Sequence, residues 1–432
     1  MNESILPRYT PDELKQLQLE RLQAALNRAY MNIPAYKKKL DQAGIPPERV
    51  ISLENLTELP FTTRRELLDN YPYNMFAVTL REIVRVHSIS QFSGKPIVVG
   101  YTGNDLRNLR EITARTLCMA GVTRDDIVQI TYQQGMFLSA LGLQQGAEYL
   151  EAAVVPVTAE NFDEECLLLK DYKISVLVTL PSFALRLGRA VRNLHIHPNE
   201  LNLRLLILGG EPCPEEMRAE IEKLLPVKAF IFYGSDELMG PGIASECNSH
   251  HGLHLWEDHF LAEVIDPSNG IAAPEGQEGE LVITTLTKEA YPLIRYRTGE
   301  KTAFIPCRCM DADFRAIKNI TGRADDGFLV RGLYLSTQHL SEMLGEIEGT
   351  APEFILLINS PEDKEELELW VEIEEKLFGD TLKHIQKMEG QIIREFTKRA
   401  NLSVRVKVVE PKTIMNTFGF SRRIINSALK KP

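Results

Sequence analysis

LRNLREITARTLCMAG (106–121), IVQITYQ (127–133), LGLQQGAEYL (141–150), AAVVPV (152–157), ECLLLKDY (165–172), SVLVTL (175–180), PSFALRLGRAVRNL (181–194) and LRLLILGG (203–210) follow one another with short breaks between them. The first, third, fifth and seventh carry apolar residues at helical spacing. The others are short apolar runs of strand length. Strict alternation of this kind predicts parallel strands joined by crossover helices on both faces of a sheet. Two apolar runs, 205–208 and 229–232, end in glycine-containing turns, GGEP (209–212) and YGSDE (233–237). Such strand ends lie at the carboxyl edge of a sheet, where α/β proteins bind ligands. The second turn holds an aromatic ring, bare backbone and two carboxylates within five residues, a combination suited to stacking a base and holding a metal. The following stretch, 238–260, adds Cys247 and four of the chain's nine histidines.

Beyond Phe260 the texture changes. EVIDPSNG (263–270), GELVITT (279–285) and LIRYRTGEKTAFI (293–305) read as short strands joined by Gly/Pro turns, hence an antiparallel subdomain. Upstream, PDELKQLQLERLQAALNRAY (11–30) has leucine and alanine at helical spacing, and TTRRELLDN (62–70) reads as a helix capped by Thr62 or Thr63. IVRVHSISQFSGKPIVVGY (83–101) alternates like a hairpin around a polar loop, Ser93-Gly94-Lys95-Pro96. On composition that loop reads as a plain turn ahead of an anion cradle. The last hundred residues mix strands (354–360, 367–374, 402–410) with helices (336–347, 382–400) and predict a small α+β unit. The expected division is 1–322 and 323–432.

The chain of 432 residues has 44% hydrophobic and 25% charged residues, as in ordinary globular proteins, and a net charge of -11. That charge argues against nucleic acid or an anionic membrane as partner. No apolar run has the roughly 18 residues needed to cross a bilayer, and the N-terminus lacks a signal-peptide pattern; the expected location is the cytoplasm. Six cysteines are too few for a disulfide framework. Cys307-Arg308-Cys309 is too tight for a mutual disulfide and suits two ligands of one metal, while Cys118, Cys166 and Cys213 read as buried small hydrophobes.

The stretches 17–45, 59–78, 94–106, 142–150, 209–218 (GGEPCPEEMR), 233–247 (YGSDELMGPGIASEC), 252–260 (GLHLWEDHF), 279–300, 307–309 (CRC) and 322–332 (GRADDGFLVRG) together resemble the phenylacetate-CoA ligase family, a branch of the adenylate-forming acyl-CoA synthetases. The resemblance runs nearly end to end. It implies a large N-terminal domain and a small C-terminal α+β domain that rotates about Asp325. It also implies an enzyme that activates an aryl or acyl acid with Mg-ATP to an acyl adenylate and passes it to CoA. By position, Ser93 and Lys95 belong to the phosphate loop, and Gly209, Gly210, Glu211, Pro212, Tyr233, Gly234 and Ser235 to the adenosine pocket. Glu237 would hold Mg, with Asp236 beside the α-phosphate; Glu300 and Arg323 would contact the ribose, and 132–141 would line the acyl pocket. Cys247, His254, Cys307 and Cys309 match a four-ligand set suited to structural zinc, with His259 or His250 as alternatives to His254. Relatives in the family are often dimers, so the resemblance leaves a homodimer open without fixing the oligomeric state.

Four departures fall on the ATP chemistry. In the phosphate loop, Gln91 and Phe92 replace a glycine and a hydroxyl, and bulk there obstructs the backbone's approach to phosphate. Asp236 stands where the family has a hydroxyl. The ribose acid is Glu300 rather than Asp. Phe420 takes the place of the lysine that delivers charge to the adenylation transition state, with Arg422 or Arg423 as candidate substitutes. The expectation is a ligase with weak or altered adenylation; the alternative is a non-catalytic or repurposed homologue binding a nucleotide, a CoA thioester or a partner protein.

Overall fold

The computed structural model describes residues 5–89, 92, 96–132, 137–156, 161–306, 314–325, 327–330, 333–359, 366–375, 382–400, 402–419 and 423–426. They divide into two units, 1–89 with 97–325, and 90–96 with 326–432. Residues 323–325 group with the first unit and 90–96 with the second.

The alternating segments build one half of a nine-stranded sheet in the first unit. Ala153–Val155, Ile127–Ile130, Val176–Thr179, Leu205–Leu208 and Lys228–Ser235 lie side by side and parallel. Val176–Thr179 and Leu205–Leu208 are buried throughout, as strands covered on both faces must be. The helix Pro181–Asn193 buries Phe183, Ala184, Leu187, Gly188 and Val191, a stripe at helical spacing that packs toward the core. At 235–240 the chain turns back, and Gly240–Ser245, Leu253–Leu255, Ala316–Ile317 and Phe304–Ile305 extend the sheet antiparallel. The predicted antiparallel subdomain is a four-stranded sheet of Phe260–Ile265, Gly279–Thr285, Tyr296–Thr302 and Gly322–Arg323. Arg85–Ile89 pairs antiparallel with Ile97–Tyr101, the expected hairpin.

The second unit has a sheet ordered Arg405–Val409, Glu366–Ile373, Thr350–Asn359, Arg423–Asn426, with the helices Thr337–Gly345 and Leu382–Ala400. Leu340, Phe354, Leu369, Ile392 and Phe396 form its core, and Phe92 joins them with no exposed surface. The Phe92 ring lies 5.2 Å from Phe396 and 6.4 Å from His339. The bulk expected to obstruct a phosphate is, in this arrangement, a packing residue of the second unit. Among the described residues no helix is long and apolar enough to cross a membrane.

Candidate active site

Two strand ends supply the first groups. Leu205–Leu208 runs into Gly209 and Gly210; Gly210 has φ 82°, and a Cβ on Gly209 would lie 2.4 Å from the Phe232 ring, so both positions need glycine. The Tyr132 hydroxyl donates to the Gly209 carbonyl at 3.3 Å. Glu211, followed by Pro212, accepts from the Ser182 amide at 3.2 Å, tying this turn to the start of helix Pro181–Asn193. Gly234 sits so close to the returning strand that a Cβ would meet the Gly240 carbonyl at 2.6 Å.

Lys228–Ser235 carries Tyr233, whose hydroxyl donates to Glu300 at 2.5 Å. Glu300 lies on Tyr296–Thr302 and is 3.8 Å from Arg323. Burial pushes the Glu300 carboxyl up, and the Arg323 guanidinium only partly offsets it. Arg323 also donates to the Thr298 carbonyl at 2.9 Å and bidentately to Asp325 at 2.7 and 2.8 Å. Tyr233, Glu300, Arg323 and Asp325 therefore form one connected group, although 92 residues separate the first from the last. The Ala324 amide bonds the Gly299 carbonyl at 2.7 Å and fixes that group to the antiparallel sheet.

The two carboxylates of the turn behave oppositely. Glu237 is 8% exposed and takes two donors: Arg64 at 2.6 Å and the Ser235 hydroxyl at 2.7 Å. Burial works against ionisation, yet Arg64 and Ser235 outweigh it and hold Glu237 below the usual carboxylate range. Asp236 is half-buried and accepts from the Ser139 hydroxyl at 3.4 Å. Burial and the neighbouring Glu237 charge push it up to about 7.

Arg64 escaped sequence reasoning, which saw only a capped helix. Thr63 is the cap of Arg64–Asp69, with Glu66 completing the reciprocal box; Thr62 instead joins the Tyr36 hydroxyl to the Ile294 carbonyl. One signal was present: a cation in the first turn opposes the helix dipole and needs another reason to be there. Lys288, buried near Asp236, was also missed, and TTLTKEAYP gives no local hint that its lysine points inward.

Ser93, Lys95, Gln91, Phe420, Arg422, Cys307 and Cys309 lie outside the described residues. Cys247 is buried with its thiol 2.9 Å from the Ser249 hydroxyl. His254, equally buried, pairs across the strands with Ser245 and has Nδ1 3.3 Å from the Phe314 carbonyl. Two of the four expected zinc ligands thus lie at the same end of one strand pair. Among the described residues, however, no three His, Cys, Asp or Glu side chains are grouped to hold a metal. The alternative ligands are engaged elsewhere: His250 with Glu246 and Arg218, His259 with Thr287 at 2.7 Å.

Residues 106–287 match the family model described as AMP-binding enzyme, and 338–427 match AMP-binding enzyme C-terminal domain. A phenylacetate-coenzyme A ligase of Aromatoleum evansii is 36% identical over 99% of this chain and 97% of its own length. One of Escherichia coli (strain K12) is 37% identical over 96% of this chain and 95% of its own. Among solved structures, 2-hydroxyisobutyryl-CoA ligase in complex with 2-HIB-AMP and CoA superposes with a TM-score of 0.89 at 24% identity, covering 99% of this chain and 93% of that one. At that identity the likeness speaks for the adenylate-forming fold alone.

Proposed function

The chain belongs to the phenylacetate-CoA ligase family of AMP-binding enzymes, and from that premise we propose that it joins an aryl or acyl acid to CoA through an acyl adenylate, with a weakened adenylation step. The observation that carries the reading is the convergence of Tyr233, Glu300 and Arg323 from three strands, the last two far from Tyr233 in sequence, with Glu237 in the turn after the first strand. A carboxylate is a poor electrophile. Attack of its oxygen on the α-phosphate of ATP releases pyrophosphate and leaves a mixed anhydride, whose carbonyl then accepts the CoA thiolate as AMP departs. Tyr233 offers a ring face for the base, and Glu300 with Arg323 offers acceptors and donors to the ribose hydroxyls. Glu237, kept ionised, is the group fit to hold the magnesium of Mg-ATP, which would neutralise charge on the phosphates.

The weakening is proposed on two grounds. Asp236 sets a second carboxyl beside Glu237 where the family carries a hydroxyl, and Phe420 brings no cation where the family has lysine. Loss of one such charge-stabilising group costs about a hundredfold or more in rate. Pyrophosphate release measured across aryl and short aliphatic acids tests this, with thioester detected by mass spectrometry. Slow, acid-dependent release is expected, and Phe420→Lys with Asp236→Ser should raise it. Release as fast as an ordinary ligase removes the claim of weakening; none with any acid removes the ligase reading.

A second reading, a homologue that binds a nucleotide or CoA thioester without chemistry, draws on the 2.6 Å contact between Arg64 and Glu237. That guanidinium neutralises Glu237 before any metal arrives. Calorimetry with ATP, AMP and CoA, with and without magnesium, separates the two. Zinc at Cys247, His254, Cys307 and Cys309 is a structural proposal, checked by metal analysis of the folded protein. A homodimer is likewise proposed and is read by light scattering.

A further inference from the structure

The helices Gly103–Met119 and Phe137–Tyr149 meet closely at Gly146, where a Cβ would lie 2.5 Å from the Thr113 hydroxyl oxygen. The same hydroxyl donates to the Gly142 carbonyl at 2.8 Å and locks the pair. Between these helices lies a hollow of about 370 Å³, with Arg107 and Arg110 on the wall from the first and Gln145, Glu148 and Tyr149 on the wall from the second. Pockets that hold small molecules run from roughly 300 to 1,000 Å³, so the hollow is large enough for one. None of these five side chains belongs to the group around Tyr233 and Glu237.

The lining is positive and incompletely bonded. Two guanidiniums stand against one carboxylate, and Glu148 already accepts from Gln144 at 2.8 Å. Arg107 donates to Asn104 at 3.1 Å, while the Arg110 guanidinium lies over the Tyr149 ring, 4.7 Å from its centroid. Arg110 Nε, a donor, and Gln145 Oε1, an acceptor, are buried with no hydrogen-bond partner among the described residues. Leaving a buried polar atom unpaired is destabilising, and native structures hold few of them. Solvent reaches neither atom, so each pairs only when its side chain turns toward something in the hollow.

We propose that this hollow is a second nucleotide site, separate from the active centre, which takes a nucleoside phosphate. The phosphate meets Arg107 and Arg110. As the Arg110 guanidinium turns off the ring, Nε and one Nη form the edge that binds two phosphate oxygens side by side. The ring face it leaves, on a tyrosine 47% exposed, then takes the base. Gln145 Oε1 accepts from a ribose hydroxyl or an exocyclic amine. Both atoms without a partner thereby gain one of the right sense. An acidic side chain of a partner protein would pair the arginines alone and leave Gln145 and the ring unused. Two sources carry the chemistry, a free nucleotide and the nucleotide end of CoA. The inference does not need the ligase reading.

Calorimetric titration with AMP and with adenosine 3′,5′-bisphosphate, the nucleotide end of CoA, tests this on the full chain. Wild type should bind one equivalent more of at least one probe than Arg107→Gln/Arg110→Gln does, and the probe that does so names the source. The equivalents that remain in the variant should keep their affinity. Tyr149→Ala should weaken the extra equivalent by about tenfold, the scale of a lost base–aromatic stack. Gln145→Leu, which keeps both charges, should weaken it several-fold and carries the test if the double variant fails to fold. Adenosine and inorganic phosphate should each bind there more weakly than the nucleotide. Equal stoichiometry in wild type and the double variant with both probes overturns the proposal, as does a variant that weakens every equivalent alike. An extra equivalent filled as well by inorganic phosphate is an adventitious ion only and overturns it too. Acid-dependent pyrophosphate release without the extra equivalent leaves the ligase reading standing and removes the second site. The extra equivalent without turnover does the reverse.

Discussion

The Glu237 and Asp236 sides of one turn differ in a way that adjacent sequence positions conceal. On the Glu237 side a guanidinium at 2.6 Å and a hydroxyl at 2.7 Å meet the carboxylate. On the Asp236 side the hydroxyl is at 3.4 Å and the nearby cation, Lys288, has no hydrogen-bond partner among the described residues. Desolvation presses on both carboxyls, so the direction in which each moves is decided by its partners: Glu237 down, Asp236 up to about 7. One side is complete without a ligand, and the other keeps bonding capacity in reserve.

Removing the guanidinium should break the contrast most strongly. Arg64→Met leaves Glu237 buried without its cation, and breaking a buried pair from one end costs about 3–5 kcal/mol. Glu237→Gln should cost less, and the double variant should recover most of the loss, because the uncompensated charge is then gone. Urea unfolding of the three variants measures this. If Arg64→Met were as mild as an ordinary surface substitution, the Glu237 side would not be the complete one.

That pair also marks where the sequence stops being legible. The alternation from Leu106 to Gly210 gave the parallel strands, and the Gly/Pro-punctuated stretch after Phe260 gave the antiparallel sheet, because both follow from local periodicity. Tyr233, Glu300 and Arg323 were nameable because short motifs carry them. Arg64 and Lys288 were not, since their partners lie 173 and 187 residues away in Glu237 and Tyr101 and no periodic pattern encodes such a meeting. Phe92 was read in the setting of the loop around it, whereas its burial comes from Phe396 and His339, more than two hundred residues along.

The next largest effect is at Lys288 and depends on pH. Burial pulls its ammonium from 10.5 down to about 7, against the pull of Asp105 and Asp236. Between those values the unfolded chain binds more protons than the folded one, so stability rises with pH across the window. The cost of the lysine is full below 7 and gone above 10.5. Lys288→Met should therefore be more stable than wild type at pH 6 by about 2–3 kcal/mol, after allowing for the lost contact with the Tyr101 ring. The advantage should shrink steadily toward pH 10. A difference that does not vary with pH would mean that Lys288 is as well solvated as a surface lysine.

The smallest effects give the sharpest comparison, because the same atom is deleted on each side. Ser235→Ala removes a short bond to an ionised, buried carboxylate, and bonds to charged groups contribute about 1.5–3 kcal/mol. Ser139→Ala removes a bond at 3.4 Å, near the limit at which a hydrogen bond still counts, and should cost under about 0.5 kcal/mol. The ordering follows from distance and from the charge each hydroxyl meets. Thermal melts at pH 7 report it directly. Equal losses would show that Ser139 grips Asp236 as firmly as Ser235 grips Glu237.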